Sequence, residues 1–297
     1  MGATKITIKE VGPRDGFQNI ADFIPTLEKV KIVDMLVDTG VPQIQVSSFV
    51  HPKWIPQLAD APEVFARINK KPGVEYNALI PNERGLDRAI QSGVKSVGWV
   101  ISATDLHNKE NLNMTTDESL AVLAPAVQKA KEHGITITGG VACAFGCPFE
   151  GDVPVEKVIK VVKAYRDLDL NTVSIADSIG IANPEQVKAL FTTLLKEFSD
   201  LKFSVHLHDI LGIGLANVYA AYEAGITSFD ASIAGLGGCP YALHPGGNIA
   251  TESLVNMFEK MGVDTGINLD KLLEVSRYVR SVVGESPRKQ EGHPEEA

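Results

Sequence analysis

The chain has 297 residues, 44% of them hydrophobic and 22% charged, with a net charge of −9; this suits one large or two small globular domains, and the acidic excess argues against a broad nucleic-acid surface. Three cysteines, Cys143, Cys147 and Cys239, exclude a disulfide scaffold and point to a reducing, cytoplasmic compartment. The opening "MGATKITIKE" lacks the apolar core of a secretory signal, and no apolar run is long enough to cross a bilayer, so no membrane partner is expected.

Short β-branched runs alternate with longer amphipathic ones along the chain. Strands are predicted at 5–11 ("KITIKEV"), 43–49 ("QIQVSSF"), 74–80 ("VEYNALI"), 96–102 ("SVGWVIS"), 136–142 ("TITGGVA"), 172–177 ("TVSIAD"), 202–208 ("KFSVHLH") and 228–234 ("SFDASIA"). Between the first two, "TLEKVKIVDMLVDTG" carries Val30, Val33, Leu36 and Val37 at helical spacing. "DESLAVLAPAVQKAKEHG", "PVEKVIKVVKAYRDL" and "NPEQVKALFTTLLKEF" read the same way. Gly40, Gly93, Gly134 and Gly225 each follow a helix and precede a β-branched residue, the place of a left-handed cap. Asn183–Pro184 and the stretch from Asp152 to Pro154 read as helix starts.

Eight such units within one domain's length predict an α/β fold, a (β/α)8 TIM barrel over residues 1–283. An open doubly wound sheet fits less well, because no GxGxxG follows the first strand. "LDKLLEVSRYVRSVVG" adds a C-terminal helix, and residues 284–297 form a polar tail expected to be disordered.

In such a barrel the loops after the strands form the active face. Arg14 and Asp15 follow strand one, Asp177 ends strand six, His206 and His208 end strand seven, and Cys239 and Asn248 lie in the loop after strand eight. Side chains alternate along a strand, so Phe203, Val205 and Leu207 face the helices while Ser204, His206 and His208 face the barrel. Two imidazoles on one face can share a cation, with Asp15 and Asn248 adding oxygens. Nitrogens mixed with hard oxygens suit Mg²⁺ or Mn²⁺. Among seven histidines an H-x-H pair can also arise by chance; its place at a strand end, opposite Asp15, is what favours a metal.

Other features carry less. "CAFGC" has no second cysteine pair, so Cys143 and Cys147 read as small buried residues. His51 reads as a loop residue near the same rim, and His107 and His133 as surface or helix-end residues. Arg14–Asp15 would elsewhere be a plain ion pair.

With these residues assembled, the chain from about 5 to about 283 resembles the 3-hydroxy-3-methylglutaryl-CoA lyase family. That family belongs to a metal-dependent barrel superfamily that also holds isopropylmalate, citramalate and homocitrate synthases. "VGPRDGFQN", "SFVHPKWIPQ", "CAFGCPFEG", "HLHD", "AGLGGCPYA" and "GNIATE" carry the resemblance in order. It implies that Asp15, His206, His208 and Asn248 hold the metal. Arg14 would stabilise an enolate, Cys239 would transfer a proton, and Asp177 would act as an acidic catalytic residue, with His206 as the other candidate base. It also implies an acyl-CoA substrate and a homodimer. Gln45, Ser48, Lys53 and Lys109 are candidate substrate contacts, the lysines for CoA phosphates.

The match has departures. The family's strand-two motif usually carries glutamate where "IQVSSF" has Gln45, and "HLHDILGIG" replaces polar residues with Ile210, Leu211 and Ile213. The expected activity is metal-dependent cleavage of a C–C bond in 3-hydroxy-3-methylglutaryl-CoA, or in a relative with a larger acyl group. A Claisen synthase acting on a 2-oxo acid is one rival, and a non-catalytic barrel is the other.

Overall fold

The computed structural model describes residues 5–238 and 247–284. Eight parallel strands close a barrel in sequence order. They are β1 (Thr7–Glu10), β2 (Gln43–Ser48), β3 (Glu75–Leu79), β4 (Ser96–Ser102), β5 (Thr136–Ala142), β6 (Thr172–Asp177), β7 (Lys202–Leu207) and β8 (Ser228–Ala231). β1 pairs with β8, from Thr7 against Ser228 to Glu10 against Ala231, and this seam closes the ring.

The helices are α1 (Thr26–Asp38), α2 (Ala61–Arg67), α3 (Glu83–Gln91), α4 (Asp105–Leu112), α5 (Thr116–Glu132), α6 (Val155–Asp167), α7 (Pro184–Glu197), α8 (Gly214–Glu223), α9 (Thr251–Lys260) and α10 (Leu269–Val283). The long amphipathic ones lie where periodicity predicts. At α7, Asn183 accepts from the Gln186 N–H and Gln186 reaches back to the Asn183 N–H, with Pro184 in the first turn. The four cap glycines all have positive φ, as the left-handed cap requires.

The structure corrects several expectations. β1 and β8 are shorter than predicted, because the chain turns at Gly12 and again at Ile233. β7 ends at Leu207, and His208 instead bridges to Asn248. His107 lies in the first turn of its helix, as the helix-end reading expects, but it is no surface residue. It is 3% exposed, within α4, and its ring lies 6.2 Å from that of Phe149 on a distant loop. His133 caps the end of α5, as expected. Cys143 and Cys147 are buried, and the Thr104 hydroxyl donates to Cys147 Sγ at 3.1 Å. The polar tail from 285 onward lies outside the described residues.

One buried carboxyl fastens the seam. Glu10, at the end of β1, accepts from the Gly12 N–H at 2.6 Å, the Ile233 N–H at 2.9 Å and the Thr251 hydroxyl at 2.6 Å. It thereby joins the turns after β1 and β8 to the start of α9. Burial pushes its carboxyl up from an ordinary 4.5 to about 7, although these donors pull the other way. The folded chain therefore binds this proton more tightly than the unfolded chain. The contribution is full below pH about 4.5 and is lost as pH rises through about 7. Its size is roughly 3 kcal/mol. Urea unfolding of wild type and Glu10→Gln, compared at pH 5 and pH 8, should show wild type losing more stability on alkalinisation by about that amount.

Candidate active site

A π-helical turn, Gly12–Gly16, leaves β1 and carries Arg14 and Asp15 to the barrel's C-terminal mouth. The Asp15 N–H donates to the Val11 carbonyl at 2.7 Å, closing that turn. Gly12 is needed there, since a Cβ would lie 2.7 Å from Glu10 Oε1 and 2.9 Å from Ile233.

Asp15 is only 6% exposed, yet it is the hub of the site. Its Oδ1 accepts from Arg14 Nη1 at 2.6 Å and from Gln18 Nε2 at 3.0 Å. Its Oδ2 accepts from Asn248 Nδ2 at 2.6 Å and lies 4.0 Å from Nε2 of both His206 and His208. Those two Nε2 atoms are 3.2 Å apart. Asp15, His206 and His208 thus offer three ligand atoms within 4.8 Å of one another.

The electrostatics suit a cation. Burial alone would push the Asp15 carboxyl up, but Arg14, then His206 and His208, outweigh it and hold it at about 2. Burial, aided by His206, pushes His208 down to about 4, against the pull of Asp15. At neutral pH this gives a carboxylate beside an unprotonated imidazole. Two ligands side by side on an octahedral divalent ion at about 2.1 Å would be roughly 3 Å apart, and the imidazole pair matches that spacing. The residues present therefore fit a divalent metal.

The other predicted residues fall as follows. Arg14 donates through Nε to Gln45 Oε1, and Gln45 Nε2 donates to Asn77 Oδ1 at 2.9 Å. Gln45 is 3% exposed, so both ends of its amide are engaged inside the barrel and not open to the mouth. Asn248 stands against Asp15 and also donates to the Leu236 carbonyl at 3.0 Å. Gly237, at φ 109°, permits this, because a Cβ there would lie 2.4 Å from Asn248 Nδ2. Asp177 is fully buried, and its oxygens accept from the Ile181 and Ala182 N–H groups at 3.2 and 2.9 Å. Burial raises its proton affinity, opposed by those N–H groups and by His206. Ser48 is buried at the end of β2 and accepts from the Val50 N–H at 3.2 Å. Lys53 and Lys109 are exposed on the segments after β2 and β4, and among the described residues no hydrogen bond or ion pair joins them to the metal-ligand group. Cys239 lies outside the described residues.

Two polar neighbours of these residues escape the sequence reading. Asp230, on β8 beside His206 in register, places Oδ2 3.4 Å from His206 Nδ1. Burial opposes its ionisation, but Lys9 and His206 outweigh that and hold its carboxyl below the usual range. Such a carboxylate fixes which imidazole nitrogen faces the site. Alternation along "SFDASIA" was the available signal. Asn77, the partner of Gln45, is the other.

Comparison with known proteins places this geometry. A family model described as HMGL-like matches residues 5–279. The chain is 43% identical over 280 residues to the hydroxymethylglutaryl-CoA lyase YngG of Bacillus subtilis, covering 94% of each. It superposes on a crystal structure of a Bacillus subtilis HMG-CoA lyase with a TM-score of 0.94, at 42% identity and 98% coverage of each chain. It also superposes on an Acinetobacter HMG-CoA lyase in complex with coenzyme A and 3-methylmalate, with a TM-score of 0.91, 38% identity and 98% coverage of each.

Proposed function

This chain belongs to the HMGL-like family, and from that premise we propose that it is a carbon–carbon lyase cleaving 3-hydroxy-3-methylglutaryl-CoA to acetyl-CoA and acetoacetate. The observation that carries this reading is the convergence of Asp15, His206 and His208, with Arg14 paired to the same carboxylate. The relatives support the hydroxymethylglutaryl group over a larger one, and cleavage over condensation. The coenzyme A complex of the Acinetobacter relative supports an acyl-CoA substrate.

Asp15, His206 and His208, with Asn248 beside them, would hold the metal, Mg²⁺ or Mn²⁺ by ligand type. When bound, that cation would supply positive charge that makes the substrate hydroxyl easier to deprotonate. Asp177 is the candidate acceptor of the hydroxyl proton, its proton affinity raised by burial; a cation on Nε2 and Asp230 against Nδ1 would leave His206 no free nitrogen for that role. The C–C bond then breaks, its electron pair passing to the enolate of acetyl-CoA while the former carbinol carbon becomes the ketone of acetoacetate. Arg14 faces the charge that develops on the thioester oxygen. Cys239 returns a proton to the enolate carbon, the role implied by the family resemblance. Cytoplasmic location and a homodimer complete the proposal; the former is supported by cysteine usage and the latter by that resemblance. Among the described residues no helix is long and apolar enough to cross a membrane.

The test is a mass-spectrometric screen of 3-hydroxyacyl-CoA thioesters with and without divalent metal. The expected result is metal-dependent acetyl-CoA release, fastest with the 3-hydroxy-3-methylglutaryl substrate. Faster release from a larger acyl group would overturn the substrate assignment. Condensation of acetyl-CoA with pyruvate or 2-oxoisovalerate, without cleavage, would overturn the lyase assignment.

A further inference from the structure

The inward faces of β2, β3 and β4 carry an unbroken run of polar side chains. Gln45 lies in register with Asn77, and Asn77 with Ser96. All three are buried. Their hydrogen bonds run in one direction. Arg14 Nε donates to Gln45 Oε1, and Gln45 Nε2 to Asn77 Oδ1 at 2.9 Å. Asn77 Nδ2 donates to Ser96 Oγ at 2.9 Å, and the Ser96 hydroxyl to Glu75 Oε1 at 2.6 Å. The run therefore starts at a guanidinium in the catalytic mouth and ends at the carboxylate of Glu75, at the N-terminal end of β3. Bonds aligned head to tail between a cation and an anion strengthen one another. A buried link left unpaired would cost the chain its order.

In this chain an amide makes the first link. It accepts from Arg14 at one end and donates to Asn77 at the other. A carboxylate at position 45 would leave Asn77 Oδ1 without its donor, or turn the Asn77 amide over and reverse the direction of the run. It would also set a second negative charge against a guanidinium already paired with Asp15. Among the described residues Arg14 Nη2 makes no hydrogen bond. The arrangement fixes two of the three guanidinium nitrogens and leaves the third for a ligand.

We propose that Gln45 is a positioning residue: with Asn77 and Ser96 it forms a neutral hydrogen-bond chain that aims Arg14 at the substrate oxygen without cancelling its charge. This rests on the reading of Arg14 as the group facing that oxygen.

Two measurements on the full-length protein test it. The first is independent of turnover: the water-exchange rate of the Arg14 Nε–H, followed by ¹⁵N NMR and assigned by its disappearance in Arg14→Lys. The second is kcat and KM. Asn77→Ala, remote from the mouth, should speed that exchange at least tenfold. It should lower kcat about tenfold or more, with KM and Mn²⁺ affinity within twofold of wild type. Gln45→Glu should keep the proton protected and still lower kcat, which a purely structural role would not produce. If Asn77→Ala does not fold, Ser96→Ala tests the next link with the same expected direction. Unchanged exchange together with kcat within twofold in the folded variant would overturn the proposal. If wild type cleaves no thioester, the reading of Arg14 fails separately, and the exchange rate still decides whether the chain holds the guanidinium.

Discussion

Asp15→Asn is expected to weaken Mn²⁺ binding by at least a hundredfold and to abolish measurable cleavage. Even partners one shell away from a metal are worth about 10–100-fold in affinity, and among the described residues Asp15 supplies the one carboxylate of the ligand group. Asparagine keeps the shape but removes the charge, and it offers one oxygen where Asp15 uses two. Those two oxygens now serve Arg14, Gln18 and Asn248. The substitution also affects stability, in a defined pH window. The Asp15 carboxyl is held at about 2 against an ordinary 3.8. Its contribution, roughly 2 kcal/mol, is therefore present above pH about 4 and lost as pH falls through about 2. Calorimetric titration with Mn²⁺ checks the first effect, and His208→Ala should reproduce it. Unaltered binding in both variants would remove the proposed metal centre.

Arg14→Gln is expected to lower kcat by 10²–10³ while leaving Mn²⁺ affinity undiminished. A preorganised donor at a developing oxyanion is worth about 2.7–4 kcal/mol, and a guanidinium adds formal charge. Arg14 sits 2.6 Å from Asp15 Oδ1 and contributes no ligand atom, so its removal takes a competing cation away from the carboxylate. The two variants therefore separate: Asp15→Asn loses metal and turnover together, whereas Arg14→Gln loses turnover alone. Steady-state kinetics alongside Mn²⁺ calorimetry would show it. Parallel loss of both in Arg14→Gln would mean that the arginine only supports the metal centre.

Much of this site is legible from the sequence because barrel geometry turns order along the chain into position. Alternation along 202–208 puts His206 on the inner face, and the loop rule brings Asp15 to the same mouth. β4, β5 and β6 match their predicted bounds because their β-branched runs end at clear turn signals. Asp230 and Asn77 matter through lateral register with β7 and β2, which one strand's pattern does not contain. His107 is a similar case. Its ring meets that of Phe149, which arrives from a segment about forty residues further along the chain and which no local pattern brings there. α2, α4 and α8 are short, so few turns of periodicity mark them.

The β1–β8 seam has a consequence for how the protein is made. Asp15 waits for Asn248 across 233 residues of chain, or roughly 10–50 s of ribosomal synthesis. Until β8 emerges, β1 has a neighbour on one side only, and its open edge can recruit strands from other nascent polypeptides. Production of this enzyme should therefore depend on chaperones that shield the growing half-barrel, and stalled translation before β8 should yield aggregates instead of partial activity.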